Sequence, residues 1–275
     1  MALSDYMFFK IDDENTSTWF DNSNYRLAII VVNGKSFWER PYGKLDELTF
    51  DLTLTIVDKT TLQPVPMFNY TEIICSKLYK KDFVKLQLYN QDCYYIGKFT
   101  GGKINSNYLN QSYFDVKFTC NKPYGYLDTR TEAFRQTSAS EKAFTLECAT
   151  TTQDITTMPR VTFYSKSTTN TKMYLTNKTT NEKIEFDFSK ANANEKIRDG
   201  EVIVVDNNKK EITSNIDLNR YKYWNGEFFS LAPGVNDIVV FGNVEVQIKY
   251  TPTVRVLQGE IYEKNTKEFK SISML

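Results

Sequence analysis

Trp224-Asn-Gly-Glu-Phe-Phe-Ser-Leu-Ala-Pro-Gly-Val-Asn-Asp-Ile-Val-Val-Phe-Gly-Asn-Val-Glu-Val-Gln-Ile-Lys-Tyr-Thr-Pro252 reads as a β-unit with a turn at each break. Asn225-Gly226 supplies the positive φ of a tight turn. Phe228, Phe229 and Leu231 lead into Pro233-Gly234, where proline presets φ and glycine accepts a conformation that side chains disfavour. Ile238 and Val240 point to one face of the next strand, Val239 and Phe241 to the other, so this strand is apolar on both. Gly242-Asn243 turns the chain again. Val244, Val246, Ile248 and Tyr250 then alternate with Glu245, Gln247 and Lys249, a strand half in a core and half in water. Pro252 ends it, because proline has no N–H for a ladder.

Composition narrows the chemistry. The chain has 275 residues, enough for one large or two ordinary domains. Aromatic residues make up 15%, a share that favours pleated surfaces. Lys plus Arg equals Asp plus Glu at 34 each, which is poor material for a general nucleic-acid binder. Histidine is absent, and with it the commonest general base and the commonest nitrogen ligand for zinc. Cys75, Cys93, Cys120 and Cys148 lack paired spacing and read as reduced thiols acting as small apolar residues. Gly101-Gly102 lacks the pattern of a phosphate-cradling loop. No apolar window has transmembrane length, and Met1 to Asp5 has no signal-peptide character, so a cytoplasmic origin is expected. We therefore expect no catalytic residue, no metal site and no cofactor.

Outward from the opening stretch, alternation and turn residues mark the other elements. Phe8, Phe9 and Ile11 form a short strand. Asp12 to Asn24 is polar and reads as a loop or arm, and Asp12-Asp13-Glu14 as a solvated acidic turn rather than a calcium loop. Tyr25 to Val32 is a strand, followed by the hairpin signal Asn33-Gly34. Phe37, Trp38 and Tyr42 lie on the loop that comes next. Leu48 to Ile56 gives the clearest alternation in the chain. Thr71 to Tyr79 has helical spacing, with Thr71 as N-cap. Strands follow at Val84–Leu88, Tyr94–Phe99 and Ser112–Cys120. Between Leu127 and Thr157 the composition shifts to Thr, Ser, Ala and Glu; a domain junction is expected there, crossed by one strand near Ala143–Cys148. Beyond it, strands are expected at 159–164, 171–177, 183–188 and 201–206.

Taken in order, these segments resemble the distal tail proteins of long-tailed bacteriophages. The final signature, L-x-P-G-x-N, falls on Leu231, Pro233, Gly234 and Asn236, with Tyr250 and Pro252 completing it. Upstream, Leu175, Thr176, Asn177, Thr179, Glu182 and Ile184 fill the family's T-N-x-T stretch, and Gly200, Glu201, Ile203, Val205 and Asp206 its G-E stretch. Pro159 opens the same domain. In the first half, Phe118, Cys120, Pro123, Tyr124 and Tyr126 fit F-x-C-x-x-P-Y-x-Y; Asp92, Tyr94, Tyr95 and Lys98 fit a second pattern apart from one place in spacing. The resemblance spans about Tyr25 to Pro252.

The resemblance implies a mainly β chain of two β-sandwich-like domains. The first, expected over residues 1–135, has one short helix and a β-hairpin and builds a ring. The second, over 136–253, is galectin-like; residues 254–275 form a C-terminal tail. It further implies a homohexamer at the virion tail tip, joining the tail tube protein to a tail-associated lysin or to tail fibre and receptor-binding proteins. No membrane and no sequence-specific nucleic acid is implied as a partner, and assembly takes place in the host cytoplasm. Three large rings on one loop, Phe37, Trp38 and Tyr42, are hard to bury within one subunit and are the candidate ring interface. Pro233 and Gly234 are expected to fix the final hairpin. The competing reading is a carbohydrate-binding module contacting the host wall, with exposed aromatics such as Trp19, Trp38 and Trp224 stacking on sugar rings; a hydrolase ranks behind both.

Overall fold

The computed structural model describes residues 7–22, 24–36, 48–61, 63–88, 91–106, 112–151, 155–216, 218–255, 260–262 and 269–271. Its contacts divide the chain into two units, Met1–Leu127 with Val254–Leu275 and Asp128–Thr253.

The first unit contains β1 (Met7–Ile11), β2 (Glu14–Asn15), β3 (Tyr25–Ser36), β4 (Leu48–Asp58), β5 (Gln63–Val65), α1 (Thr71–Leu78), β6 (Val84–Leu88), β7 (Tyr94–Ser106), β8 (Ser112–Cys120) and β9 (Tyr124–Tyr126). β1 pairs with β3 and β6, β3 with β4, β4 with β8, β8 with β7, and β7 with β6, all antiparallel. The ladder thus closes on itself, which removes the open edges that a sheet of this size would otherwise present. Phe9, Ile11, Leu27, Leu54, Ile56 and Phe118 are buried in its core. Their alternation with polar residues is what sets the register, because a one-residue slip would turn every apolar side chain outward. α1 adds Ile74 and Leu78 to the same core.

Four local expectations change here. Asn33-Gly34 is not a turn: Asn33 pairs with Asp51 and Gly34 with Phe50, and the β3–β4 ladder runs on to Ser36 and Leu48. The buried face of β4 outweighs the local turn preference. Gly101-Gly102 does not end β7 but forms a bulge in it, with φ of 69° and 145° and a register shift against β8. Such φ values are open to glycine, so the strand bends and continues. Asp12–Asn24 is not a loose arm. Asp12 and Asp13, both at positive φ, turn β1 into β2, and a 3-10 turn at Thr16–Trp19 buries Trp19. Lys80, Lys85 and Lys77 hold Asp12, Asp13 and Glu14 at 2.6, 2.8 and 3.1 Å. Finally, the N-cap of α1 is Tyr70; Thr71 is its first residue and donates its hydroxyl to the Met67 carbonyl.

The second unit comprises β10 (Arg130–Gln136), β11 (Glu141–Cys148), β12 (Arg160–Ser165), β13 (Lys172–Asn177), β14 (Glu182–Asp187), β15 (Val202–Asp206), β16 (Glu211–Ser214), β17 (Gly234–Phe241) and β18 (Val244–Tyr250). One sheet runs β10-β18-β12-β15-β16 and the other β11-β17-β13-β14. Val161, Phe163, Leu175, Phe186, Ile203, Val240 and Val246 fill one core contributed by both sheets. This is an antiparallel sandwich, with core residues alternating along each strand. As read from the sequence, β17 is apolar on both faces: Val239 is buried, and Phe241 stacks on Tyr174 at 4.8 Å.

The resemblance led us to expect boundaries at 1–135, 136–253 and 254–275, and composition a junction between Leu127 and Thr157. The contacts draw the first at 127/128, because β10 pairs with β18 from Arg130–Tyr250 to Gln136–Val244. After the second unit, β19 (Thr253–Arg255) joins β9, and Val254 is buried in the first core. β20 (Glu260–Tyr262) pairs with β21 (Phe269–Ser271). The second unit is therefore an insertion between β9 and β19.

The closed ladder makes Gly97 on β7 a test position. A Cβ there would collide with the Thr119 carbonyl oxygen and the Phe118 ring. Gly97→Ala is expected to destabilise the first unit by about 1–3 kcal/mol, as overpacking does, read as a lower thermal unfolding midpoint.

Candidate functional site

The residues of the L-x-P-G-x-N signature and the T-N-x-T stretch meet in one buried hydrogen-bond network. The Asn236 side chain is fully buried. Its Oδ1 accepts from Ala232 N at 2.9 Å and from Asn177 Nδ2 at 2.8 Å. Its Nδ2 donates to the Ala232 carbonyl at 2.8 Å and the Gly234 carbonyl at 3.0 Å. Both ends of one amide are thus satisfied while closing the loop around Pro233 and Gly234. Gly234 sits at φ 80°, where a side chain would be strained.

Asn177 carries the network to the β13–β14 turn. Its Nδ2 also donates to the Ser230 carbonyl at 2.9 Å, and its Oδ1 accepts from Thr179 N at 3.0 Å. Glu182 Oε2 accepts from the Ser230 amide and hydroxyl, both at 2.6 Å, and from the Thr180 hydroxyl at 3.0 Å. Asp237 N donates to Thr179 Oγ1 at 2.9 Å. Two motifs far apart in sequence are therefore one structural device. Tyr250 and Pro252 do a separate job. The Tyr250 hydroxyl donates to the Glu147 carbonyl at 3.1 Å, tying β18 of one sheet to β11 of the other, and Pro252 is buried just past the strand. The turn of the final hairpin is Gly242-Asn243, with Gly242 at φ 103°; Pro233-Gly234 instead starts β17.

Two further buried anchors have no sequence signal that spacing reveals. Glu201, the acid of the G-E stretch, is fully buried and is gripped by Arg220: Nε donates to Oε1 at 2.7 Å and Nη2 to Oε2 at 2.6 Å. Arg220 also donates to the Glu195 carbonyl at 2.6 Å and lies 5.1 Å over the Phe188 ring. Asn207 donates to the Pro159 carbonyl at 2.6 Å and accepts from Phe229 N at 2.7 Å.

Phe37, Trp38 and Tyr42 lie outside the described residues. Among the described residues no group of three or more His, Cys, Asp or Glu side chains is placed to hold a metal, and no helix is long and apolar enough to cross a membrane. Cys93, Cys120 and Cys148 are buried and Cys75 half-buried, all as free thiols; burial pushes Cys93 up to about 11. A thiol held that high is protonated and inert at neutral pH.

Residues 153–253 match the family model described as siphovirus-type tail component, C-terminal domain. This segment is similar to the C-terminal domain of siphovirus-type tail components. The network of Asn177, Glu182 and Asn236 lies wholly within the matched segment. Along its length the chain also resembles the crystal structure of phage SPP1 Dit (gp 19.1), described as a paradigm of the hub adsorption apparatus in phages infecting Gram-positive bacteria. That match has a TM-score of 0.57 at 10% identity and covers 90% of this chain and 98% of that one. At such identity the likeness establishes the fold, mainly β throughout. A chain of the phage p2 baseplate in its activated conformation matches at 12% identity over 88% of this chain and 97% of that one, with a TM-score of 0.35, too loose a superposition to support an argument. No curated protein matches the chain.

Replacing Asn236 by Ala removes four hydrogen bonds and leaves the Ala232 groups and the Asn177 amide without that partner. Asn236→Ala is expected to destabilise the second unit by about 2–3 kcal/mol. A Cβ at Gly234 meets nothing within 4 Å, so the cost of Gly234→Val is chiefly backbone strain at φ 80°, about 1–3 kcal/mol. Denaturant midpoints equal to wild type in both variants would show that the loop does not hold the unit together.

Proposed function

We propose that this tail component is a distal tail protein: six copies form a closed ring at the tail tip, joining the tail tube to the adsorption apparatus. The observation that carries this is the family match of residues 153–253, supported by a fold that covers 98% of SPP1 Dit. The work is mechanical. The ring holds its partners in rotational register and leaves a lumen for DNA, with no reaction of its own.

In this reading the first unit builds the ring and the second faces outward. A closed ring of identical subunits needs a heterologous interface, in which two different patches of each copy meet. The β3–β4 ladder suits that role. It stays paired as far as Ser36 and Leu48, and Phe37, Trp38 and Tyr42 all fall in the connection beyond that pair. Large aromatic rings are enriched in such interfaces. The partners are the tail tube protein on one side and a tail-associated lysin, tail fibre or receptor-binding protein on the other. Assembly takes place in the host cytoplasm, before the particle is released.

Immunogold labelling of intact tails with antibody against this chain tests the placement. Gold confined to the distal end, next to the adsorption structure, is expected. Gold along the tube or on the capsid would reject it.

A further inference from the structure

A groove of about 330 Å³ opens on the second unit at the edge strand β14, between Glu185 and Asp187 and the segment Tyr223–Asn225. Its volume falls within the range of about 300–1,000 Å³ common to small-molecule sites. We infer that this groove binds a neutral pyranose ring, with Trp224 as the stacking platform and the Asp187 carboxylate as a hydrogen-bond acceptor.

Three observations carry this. First, Trp224 is half-buried and lines the groove, whereas Trp19 is buried in the first core. Second, the indole is fixed in place. Its Nε1 donates to the Glu227 carbonyl at 2.9 Å, Phe228 packs against it at 4.8 Å and 61°, and Tyr221 at 6.0 Å and 80°. The backbone beneath is fixed as well. Asn225 N donates to the Glu185 carbonyl at 3.0 Å, Glu185 N donates to Asn225 Oδ1 at 3.1 Å, and Asn225 Nδ2 donates to the Lys183 carbonyl at 2.7 Å. Asn225 thereby continues the sheet by one pseudo-strand and sets the ring at the rim of β14. A platform that is rigid before binding loses little entropy on binding. Third, the polar rim suits hydroxyl groups. Asp187 is exposed, and Ser189 N donates to its Oδ1 at 2.9 Å. Glu185 is held by Lys172 at 2.6 Å and by Lys183. Burial pushes the Glu185 carboxyl up, but the bonds from these two lysines outweigh it and keep the group ionised below its ordinary range.

A pyranose has one apolar C–H face and a rim of hydroxyls. The face covers the indole and the rim meets fixed carboxylates, so the two halves of the groove match the two halves of the sugar. The opposite charges around the groove, Asp187 and Glu185 against Lys190 and Lys222, favour a neutral ring over a charged one. This site does not depend on the ring proposal; either can fail alone.

Saturation-transfer-difference NMR of the full chain with methyl glycosides of glucose, galactose, rhamnose and N-acetylglucosamine tests it. Transfer to the ring C–H protons of at least one glycoside is expected, with a Kd of about 1 mM. Trp224→Ala is expected to weaken binding at least ten-fold while Trp224→Phe retains part of it. Asp187→Ala, a change at an exposed rim residue, keeps the test valid if Trp224→Ala does not fold, and is expected to weaken binding several-fold. Absence of transfer from every glycoside at tens of millimolar would overturn the inference. So would affinity unchanged in Asp187→Ala or in a folded Trp224→Ala.

Discussion

A single buried amide, Asn236, holds the second unit's two sequence signatures together. Its four hydrogen bonds close the Pro233-Gly234 loop and reach Asn177 on β13. The strand that follows, β17, lies inside its sheet between β11 and β13. Without the closed loop the start of β17 is not positioned, and the register with both neighbours loses its anchor. A buried amide left half-satisfied costs more than the bonds contribute when all are made, so the arrangement is all-or-none. Glu182, accepting from Ser230 and Thr180, extends the same constraint to the β13–β14 turn.

This constraint explains why the second unit was legible in the sequence. Asn, Gly, Pro and Thr stand where the backbone needs an amide, a positive φ or a hydroxyl, and few other residues can serve. The strands were legible from alternation, as at β4, β14 and β18. β10 was not, because Phe134 and Gln136 are its only buried side chains and the remainder reads as a polar connector. One turn dipeptide misled, and one strand was read too short. Asn33-Gly34 is carried through a strand by its pairing with Asp51 and Phe50, and Gly101-Gly102 is absorbed as a bulge. Local preferences of that size yield to the register of a buried face. The Arg220–Glu201 pair and the ladder closure depend on contacts distant in sequence, which single-sequence patterning does not carry. The groove at β14 was foreshadowed only by Trp224, one of three tryptophans weighed for sugar stacking.

The two units are held together in different ways. The first closes its ladder and takes in Val254 after the whole second unit has been threaded. Both ends of the insertion therefore connect to the same unit. The second is a sandwich braced by buried polar anchors, with the Tyr250 hydroxyl bonded across from one sheet to the other. Among the described residues neither unit assembles a group of three or more metal-ligating side chains, and burial holds the Cys93 thiol protonated.

The central claim is that identical copies of the first unit close into a six-fold ring. Class-averaged electron microscopy of the purified full-length chain tests it most directly. The account predicts ring-shaped particles with six-fold symmetry, six times the 32.0 kDa chain in mass, in which neighbouring copies touch through their first units. Rings whose copies meet only through residues 128–253, or a chain that stays monomeric at all concentrations, would contradict it.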